Sequence, residues 1–95
     1  MVKKIAIGIL AYNEEQHIES VLNEILTLNR DVYVLNDSST DKTMEILEEL
    51  NTTKNFTIIN NVKNEGAGNS TLKIIERAKN AGFEFVIKVD GDNQF

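Results

Sequence analysis

The chain has 95 residues, no Cys, no Pro, one His and a formal net charge of −5, and this length allows a single domain. The absence of Cys excludes disulfides, thiol catalysis and Cys-based zinc sites, and a lone His17 excludes a His-rich metal site. The acidic balance argues against sequence-independent nucleic-acid binding, which needs a basic face. The apolar runs are too short for a membrane span of about 20 residues.

The first part of the chain has a strand pattern followed by a helix pattern. Residues 3–11 are almost continuously apolar and β-branched, which predicts a strand covered on both faces. Over residues 14–28 the apolar side chains recur at helical spacing, with Asn13 as the expected N-cap and Gln16 as its capping-box partner. The predicted inward stripe is Ile18, Val21, Leu22, Ile25 and Leu26.

A second strand is predicted over residues 31–35, followed by a polar turn over 36–40. Thr40 or Asp41 can cap the helix that follows. This second helix ends near Leu50, and its predicted inward residues are Met44, Leu47 and Leu50.

The pattern repeats in the second half. Residues 56–59 predict a third strand, and residues 60–69 predict a loop rich in Asn and Gly. A third helix is predicted over 70–81, ended by Gly82 just past its C-cap. Its predicted inward residues are Leu72, Ile75 and Ala78, and a fourth strand is predicted over 83–89.

The order β-α-β-α-β-α-β predicts an α/β fold of the Rossmann-like, three-layer αβα type. We expect a mostly parallel four-stranded sheet, right-handed crossovers and helices on both faces. Ligands bind such sheets at the carboxyl ends of the strands. Each predicted strand is followed there by polar residues, and three of the four strand ends carry carboxylates.

The fourth strand is followed by the acidic pair Asp90 and Asp92. Their i, i+2 spacing directs both carboxylates to one side of an extended segment. Two such oxygens can hold a hard divalent cation beside a diphosphate, and Gln94 can add a neutral oxygen. An acidic surface turn is the alternative interpretation. The chain has neither a G-x-G-x-x-G motif nor a P-loop motif, which disfavours a dinucleotide site and excludes a P-loop.

The other strand-end residues each have a structural and a functional interpretation. Asp37 can begin an Asx-type turn or accept a hydrogen bond from a nucleobase N–H. Tyr12 is an ordinary strand-end aromatic or lies against a base. Glu14 favours a helix N-terminus electrostatically or holds ribose hydroxyls. The segment 66–68, taken alone, is a flexible turn before a helix, and His17 is expected to be solvent-exposed.

Taken together, four segments resemble the nucleotide-sugar half of a family 2 glycosyltransferase with the GT-A fold. The segments are Leu10-Ala11-Tyr12-Asn13-Glu14-Glu15, Asn36-Asp37-Ser38-Ser39-Thr40-Asp41-Lys42-Thr43, Asn64-Glu65-Gly66-Ala67-Gly68 and Asp90-Gly91-Asp92. Their order and spacing agree with the family over nearly the whole chain. The D-x-D-x-Q pattern that ends at Gln94 is most similar to the polyprenyl-phosphate sugar transferase type, such as dolichyl-phosphate mannosyltransferase.

The resemblance implies a set of site residues and ligands. The residues implied in nucleotide binding are Ala11, Tyr12, Glu14, Asp37, Gly66 and Gly68. Asp90 and Asp92, with Gln94, would hold Mg²⁺ or Mn²⁺ bridging the diphosphate, where the metal acts as a Lewis acid. The implied donor is a UDP- or GDP-sugar, and the implied acceptor is a polyprenyl phosphate or a saccharide.

The chain departs from the family pattern at four positions. Leu10 stands where the family often has Pro, and Asn36 replaces the first Asp of an acidic pair. Ser38 replaces a common Gly, and Ala67 stands where a basic residue is common. The resemblance further implies that residues 1–95 are the N-terminal, donor-binding portion of a catalytic domain. The acceptor half and the catalytic base would then lie beyond Phe95, and the chain alone would not turn over.

Further expectations concern location, assembly and class. We expect a cytoplasmic protein, with association of the parent with the cytoplasmic membrane face left open. The fourth strand would lie at an open edge, which favours self-association or disorder from Asp90 onward. The edge residues are Phe83, Phe85, Ile87 and Val89. The alternatives are a non-catalytic nucleotide-binding or scaffold domain and, less favoured, a receiver-type phosphoacceptor module or a nucleotidyltransferase.

Overall fold

Strands and helices alternate along the chain in the computed structural model, which describes residues 4–91. The elements are β1 (Ile5–Ala11), α1 (Ile18–Leu26), β2 (Asp31–Asp37), α2 (Thr43–Leu50), β3 (Thr57–Asn61), α3 (Gly66–Asn80) and β4 (Phe85–Asp90). The four strands form one sheet in the order β3-β2-β1-β4, and every neighbouring pair is parallel. The predicted α/β class and element order are therefore confirmed.

Each face of the sheet has its own apolar core, as the predicted three layers require. On one face, side chains of β1 such as Ile7 and Ile9 pack with α1 and with Leu47 of α2. On the other face, Leu35 of β2 packs with Ile74 of α3. The near-continuous apolar sequence of β1 follows from this arrangement, because a strand with helices on both sides buries both sets of side chains.

The apolar stripe of α1 is confirmed, but the predicted start of the helix is wrong. Ile18 and Val21 are fully buried, with Leu22 and Ile25 beside them. The helix begins at Ile18, and His17, not Asn13, is its N-cap. Asn13 has a left-handed backbone with φ of 52°, so the chain turns there before the helix starts. The predicted capping box with Gln16 is therefore absent.

The other predicted boundaries need smaller corrections. β1 begins at Ile5, β2 extends to Asp37, and β3 runs from Thr57 to Asn61, so Asn36 and Asp37 are strand residues rather than turn residues. The inward face of α2 is confirmed. Leu47 is buried, and Met44 and Leu50 are partly buried against the same core.

The predicted third helix has the wrong start, and of its three predicted inward residues only Ala78 is buried. α3 begins at Gly66, and it buries Ser70, Ile74 and Ala78. Leu72 and Ile75, which the spacing placed inward, are 62% and 42% exposed. Gly8 explains the choice of face. A Cβ built on Gly8 would lie 2.6 Å from Cγ2 of Ile74, so the missing side chain in β1 is what lets Ile74 pack closely.

The end of α3 matches the prediction from Gly82. Gly82 has φ of 94°, which glycine adopts without strain. Its N–H donates to the carbonyl of Lys79, and the N–H of Phe83 donates to the carbonyl of Ala78. This pair of hydrogen bonds is a Schellman motif, which ends α3 just before the link to β4.

β4 lies at one edge of the described sheet, where it pairs with β1. Its side chains Phe85 and Ile87 are 49% and 53% exposed. They share a sheet face with Ile7 of β1, as the register Ile7↔Ile87 shows. Among residues 4–91, no helix combines the length and apolar character that crossing a membrane requires.

Candidate functional site

A pocket of about 380 Å³ lies at the carboxyl ends of the strands, where ligands bind in parallel α/β sheets. It is lined by Leu10, Ala11, Tyr12, Glu14, Asp37, Asn64, Gly66, Ala67, Ser70, Asp90 and Gly91. Five of the six residues predicted to bind nucleotide are in this lining. Gly68 is not, because it lies farther along the first turn of α3. Of the predicted metal ligands Asp90 lines the pocket, and Asp92 and Gln94 lie outside the described residues.

Asp37 joins the end of β2 to the start of α3. Its Oδ1 accepts hydrogen bonds from the backbone N–H of Glu65 at 2.8 Å and from Nδ2 of Asn61 at 2.9 Å. Its Oδ2 accepts the N–H of Gly66 at 3.1 Å. The carboxylate therefore satisfies backbone donors where α3 begins, a region that favours negative charge.

This environment lowers the pKa of Asp37 below its ordinary value of 3.8. Burial alone acts to raise that pKa, because it disfavours the charged form. The hydrogen bonds from Asn61, Glu65 and Gly66 outweigh burial, and the charge of Lys73 adds to their effect. Asp37 is therefore an anion in the folded chain at neutral pH.

Three residues that support Asp37 were missed by the sequence interpretation. Asn61 is the register partner of Asp37 on β3, and its Nδ2 also donates to Oγ of the buried Ser70. Nζ of Lys73 donates to Oδ1 of Asn61 at 2.8 Å and to Oε2 of Glu65 at 2.7 Å. The only sequence signal for this network is a pair of Asn residues at a strand end, and that signal does not identify their partners.

The alternative role for Asp37, as the start of an Asx-type turn, is wrong. The neighbouring Asn36 supports the turn instead, since its Oδ1 accepts the backbone N–H and the hydroxyl of Ser39, three residues farther on. Nδ2 of Asn36 in turn donates to Oδ1 of Asn60 at 2.7 Å. Ser38, which lies between Asn36 and Ser39, has φ of 59°, a backbone conformation that favours glycine.

Asp41 provides the capping contact that was predicted for Thr40 or Asp41. Its Oδ1 accepts the backbone N–H of Thr43 at 2.9 Å and the Thr43 hydroxyl, although the N-cap position itself is Lys42. Burial acts to raise the pKa of Asp41, but hydrogen bonds from Thr43 and from the backbone of Glu15 lower it below 3.8.

Tyr12 and Glu14 reach the pocket from the turn after β1. Tyr12 is 48% exposed, so much of its ring surface is available to a ligand. The Glu14 side chain lies over Gly91, since a Cβ built on Gly91 would lie 3.3 Å from Cγ of Glu14. Nδ1 of His17 lies 3.7 Å from Oε1 of Glu14, and His17 is exposed as predicted.

The end of β4 brings Asp90 to the pocket. The N–H of Gly91 donates to the carbonyl of Leu10 at 2.9 Å, which ties the segment to β1. A Cβ on Gly91 would lie 2.8 Å from that same oxygen, so the tight approach depends on a residue without a side chain. Asp90 is exposed, and its Oδ1 lies 3.8 Å from Nζ of Lys88.

The pocket is acidic. Its lining includes the carboxylates Glu14, Asp37 and Asp90, and no Lys or Arg occurs among the described lining residues. Within residues 4–91, no group of three or more acidic, His or Cys side chains is arranged to hold a metal ion. Carboxylate oxygens are the donors that a hard divalent cation prefers, and Asp90 is the one predicted metal ligand among the described residues that lines the pocket.

The all-parallel four-stranded sheet with its helices is shared with solved GT-A glycosyltransferases. The glycosyl transferase family 2 model matches residues 6–95, and the chain therefore belongs to glycosyl transferase family 2. The predicted family is confirmed at this level.

Individual relatives agree with that assignment. The poly-beta-1,6-N-acetyl-D-glucosamine synthase of Staphylococcus epidermidis is 29% identical over 96% of this chain and 22% of its own length. The structure of S. aureus TarS 1–349 in complex with UDP-GlcNAc has a TM-score of 0.78 and 28% identity, covering 94% of this chain and 26% of that one.

A third relative supports the fold alone. The mannosyltransferase PcManGT from Pyrobaculum calidifontis, in complex with GDP-Man and Mn²⁺, has a TM-score of 0.84 at 21% identity. The match covers 97% of this chain and 28% of the mannosyltransferase. The chain thus spans about a quarter of the length of these relatives.

Proposed function

We propose that residues 1–95 are the N-terminal, donor-binding portion of an inverting glycosyltransferase. In the proposed reaction an acceptor oxygen attacks the anomeric carbon of a nucleoside-diphosphate sugar from the side opposite the diphosphate. The glycosidic bond forms as the bond to the diphosphate breaks, and a base takes up the acceptor proton. The observation that carries this proposal is the pocket at the carboxyl edge, which collects Tyr12, Glu14, Asp37 and Asp90 in a family 2 domain.

In this proposal the nucleoside lies between the ends of β1 and β2. Tyr12 offers an exposed ring against a base, which favours stacking. Asp37 accepts a base N–H, and Glu14 holds the ribose hydroxyls. Gly66, at the start of α3, gives the ligand close access to the backbone. Gly68 is the least supported of the predicted contacts, because it is outside the lining.

A divalent cation is proposed because the pocket and its ligand carry the same sign of charge. A diphosphate beside Glu14 and Asp90 would be repelled by them in a site partly shielded from water. Asp90, with Asp92 and Gln94, would hold Mg²⁺ or Mn²⁺. The ion would neutralise the diphosphate and stabilise it as the leaving group.

Several finer expectations stay predictions. They include the polyprenyl phosphate or saccharide acceptor, the dolichyl-phosphate mannosyltransferase type, the catalytic base beyond Phe95, self-association through the β4 edge and a cytoplasmic location. The relatives bind different donors, since TarS is seen with UDP-GlcNAc and PcManGT with GDP-Man. The choice between a UDP- and a GDP-sugar therefore has to be measured.

Calorimetric titration tests the proposal directly. The chain is titrated with UDP-GlcNAc and with GDP-mannose, once with excess Mn²⁺ and once with EDTA. We expect binding of one donor with Mn²⁺ and at least a tenfold weaker affinity with EDTA, on the order of a lost charge-assisted contact. Equal affinity in both buffers, or no binding of either donor, would contradict the proposal.

Matched carboxylate variants show whether the predicted site is used. Asp90→Asn removes a proposed metal ligand at the pocket, whereas Asp31→Asn removes an exposed carboxylate at the start of β2, at the opposite edge of the sheet. We expect Asp90→Asn to weaken binding and Asp31→Asn to leave it unchanged. A non-catalytic binding domain would give the same result, so sugar transfer must be assayed in the longer parent protein.

A further inference from the structure

Three consecutive backbone N–H groups after β1 donate to side chains from the segment after β2. The N–H of Asn13 donates to Oγ of Ser39 at 3.0 Å. The N–H of Glu14 donates to Oγ1 of Thr43 at 2.8 Å, and the N–H of Glu15 donates to Oδ2 of Asp41 at 3.2 Å. We call Ser39, Asp41 and Thr43 the latch residues, because together they hold one turn against another.

The side chain of Asn13 in turn accepts hydrogen bonds from the segment after β2. Its Oδ1 accepts the backbone N–H of Thr40 at 2.7 Å and that of Asp41 at 3.3 Å. Its φ of 52° is a conformation that Asn tolerates better than most residues. The turn after β1 is therefore fixed by hydrogen bonds in both directions.

The latch residues are themselves held in place. Thr43 is fully buried, and its hydroxyl donates to Oδ1 of Asp41 while it accepts from Glu14. The Ser39 hydroxyl donates to Oδ1 of Asn36 while it accepts from Asn13. Each hydroxyl group therefore has a fixed orientation. This also fixes the position of the oxygen that accepts a hydrogen bond from the turn after β1.

The latch residues lie beside the pocket and are absent from its lining, as far as the described residues define it, whereas Tyr12 and Glu14 are in it. Their hydrogen bonds are to the backbone N–H groups of Asn13, Glu14 and Glu15, the three residues that follow Tyr12. We expect them to affect a ligand through the positions of Tyr12 and Glu14. Holding such groups in place before binding lowers the entropy cost of binding.

We propose that Ser39, Asp41 and Thr43 are positioning residues that hold Tyr12 and Glu14 in the geometry that binds the nucleoside. This inference rests on the proposed function, since it assigns the same pocket to a nucleotide. The competing account is that these hydrogen bonds only stabilise the starts of α1 and α2, with no effect on how the pocket binds.

Thr43→Val and Thr43→Ser form the matched pair of variants. Val has nearly the same shape and lacks the hydroxyl, whereas Ser keeps the hydroxyl and lacks the methyl group. Both are made in a Tyr33→Phe background. The chain has two Tyr and no Trp, so Tyr12 then becomes the sole tyrosine, and its fluorescence anisotropy reports its mobility.

We expect Thr43→Val to lower the Tyr12 anisotropy and to speed amide exchange at Glu14 about tenfold, the effect of one lost hydrogen bond. The amide of Leu22 in α1 serves as the reference for global unfolding and should change less. The dissociation constant for the donor with Mn²⁺ should rise about tenfold. Thr43→Ser should restore all three values to within about twofold.

The outcomes separate this inference from the proposed function. If the parent background binds no nucleotide, the proposed function fails, and the anisotropy and the Glu14 exchange decide whether the latch positions Tyr12. If Thr43→Val changes Leu22 and Glu14 exchange equally and leaves anisotropy and affinity unchanged, the positioning role is wrong. If Thr43→Val does not fold, Ser39→Ala takes its place, since it removes the acceptor of the Asn13 N–H. The same three quantities are then measured: the Tyr12 anisotropy, the amide exchange and the dissociation constant.

Discussion

The two halves of the sheet's carboxyl edge are built differently. The ends of β1, β2 and β3 are joined by side-chain hydrogen bonds that run from Asn60 through Asn36 and Ser39 to Asn13. The end of β4 joins β1 through the backbone hydrogen bond from Gly91 to Leu10, and its Asp90 is exposed.

This difference separates two tasks at one pocket. The half formed by β1, β2 and β3 is ordered by its own hydrogen bonds, which suits recognition of a rigid group such as a nucleoside. The β4 half presents an exposed carboxylate, which suits direct coordination of a metal ion. Variants in the first half should therefore change stability as well as nucleoside binding, whereas variants in the second half should change ligand binding with little effect on stability.

The largest expected effect comes from Asp37→Ala. The substitution removes the acceptor of the Glu65 N–H, and it leaves Asn61 Nδ2 and the Gly66 N–H with only their second acceptors, Ser70 and Asn64. We expect the free energy of unfolding to fall by about 2–4 kcal/mol, because three hydrogen bonds to a charged acceptor are lost. Urea denaturation followed by circular dichroism measures this.

The control for Asp37→Ala is Asp31→Ala, on the same strand and exposed. Its effect should stay within about 0.5 kcal/mol. Equal losses from the two substitutions would show that the Asp37 hydrogen bonds contribute no more than an ordinary surface carboxylate.

Acid should destabilise the chain through the same half of the edge. The folded-state pKa values of Asp37 and Asp41 both lie below the ordinary value of 3.8. Their contribution is present above the unfolded-state pKa and is lost as pH falls through the lower, folded-state pKa. We expect the urea concentration at the unfolding midpoint to decrease as the pH is lowered below about 4. In Asp37→Asn this decrease should be less steep. An identical pH dependence in both proteins would contradict this.

A smaller effect of opposite sign is expected at Ser38. Its left-handed φ of 59° costs a residue with a side chain about 1–2 kcal/mol, a cost that glycine avoids. Glycine in turn loses about 0.5–1 kcal/mol through its larger loss of conformational entropy on folding. Ser38→Gly also removes the exposed hydrogen bond that the Ser38 hydroxyl donates to the carbonyl of Val62 at 3.3 Å, so the net stabilisation should be about 0.5 kcal/mol. Ser20→Gly, inside α1, is the same substitution in a helix and should destabilise it by a similar amount. Two changes of the same sign would argue against strain at Ser38.

The smallest stability effect is expected at the end of β4. Lys88 and Asp90 are exposed, and their charged atoms lie 3.8 Å apart. Lys88→Ala should change the free energy of unfolding by less than about 0.5 kcal/mol, because exposed ion pairs contribute little. A loss as large as that of Asp37→Ala would remove the distinction between the two halves of the edge.

The sequence was sufficient for the architecture, because that depends on local periodicity. The apolar stripe of α1 and the position of Gly82 followed from spacing alone. The inward face of α3 did not, because Leu72 and Ile75 are apolar and Ser70 is not. The choice between faces depends on Gly8, in a strand far away in sequence.

The candidate site was only partly predictable for a similar reason. The motif residues that line the pocket were identified from their place after strands. The partners of Asp37, namely Asn61, Ser70 and Lys73, were not, and neither was the role of Asn13 as a link between turns. These contacts join residues up to 27 positions apart, and no local pattern specifies them.

The most direct test of the account is an NMR titration of the isotope-labelled chain with UDP-GlcNAc or GDP-mannose and Mg²⁺, which avoids paramagnetic broadening. The account predicts that backbone amide shifts cluster at Tyr12, Glu14, Asp37, Gly66 and Gly91, and that EDTA reverses them. Shifts that instead cluster at the opposite edge of the sheet, around Lys4, Tyr33 and Phe83, would contradict it.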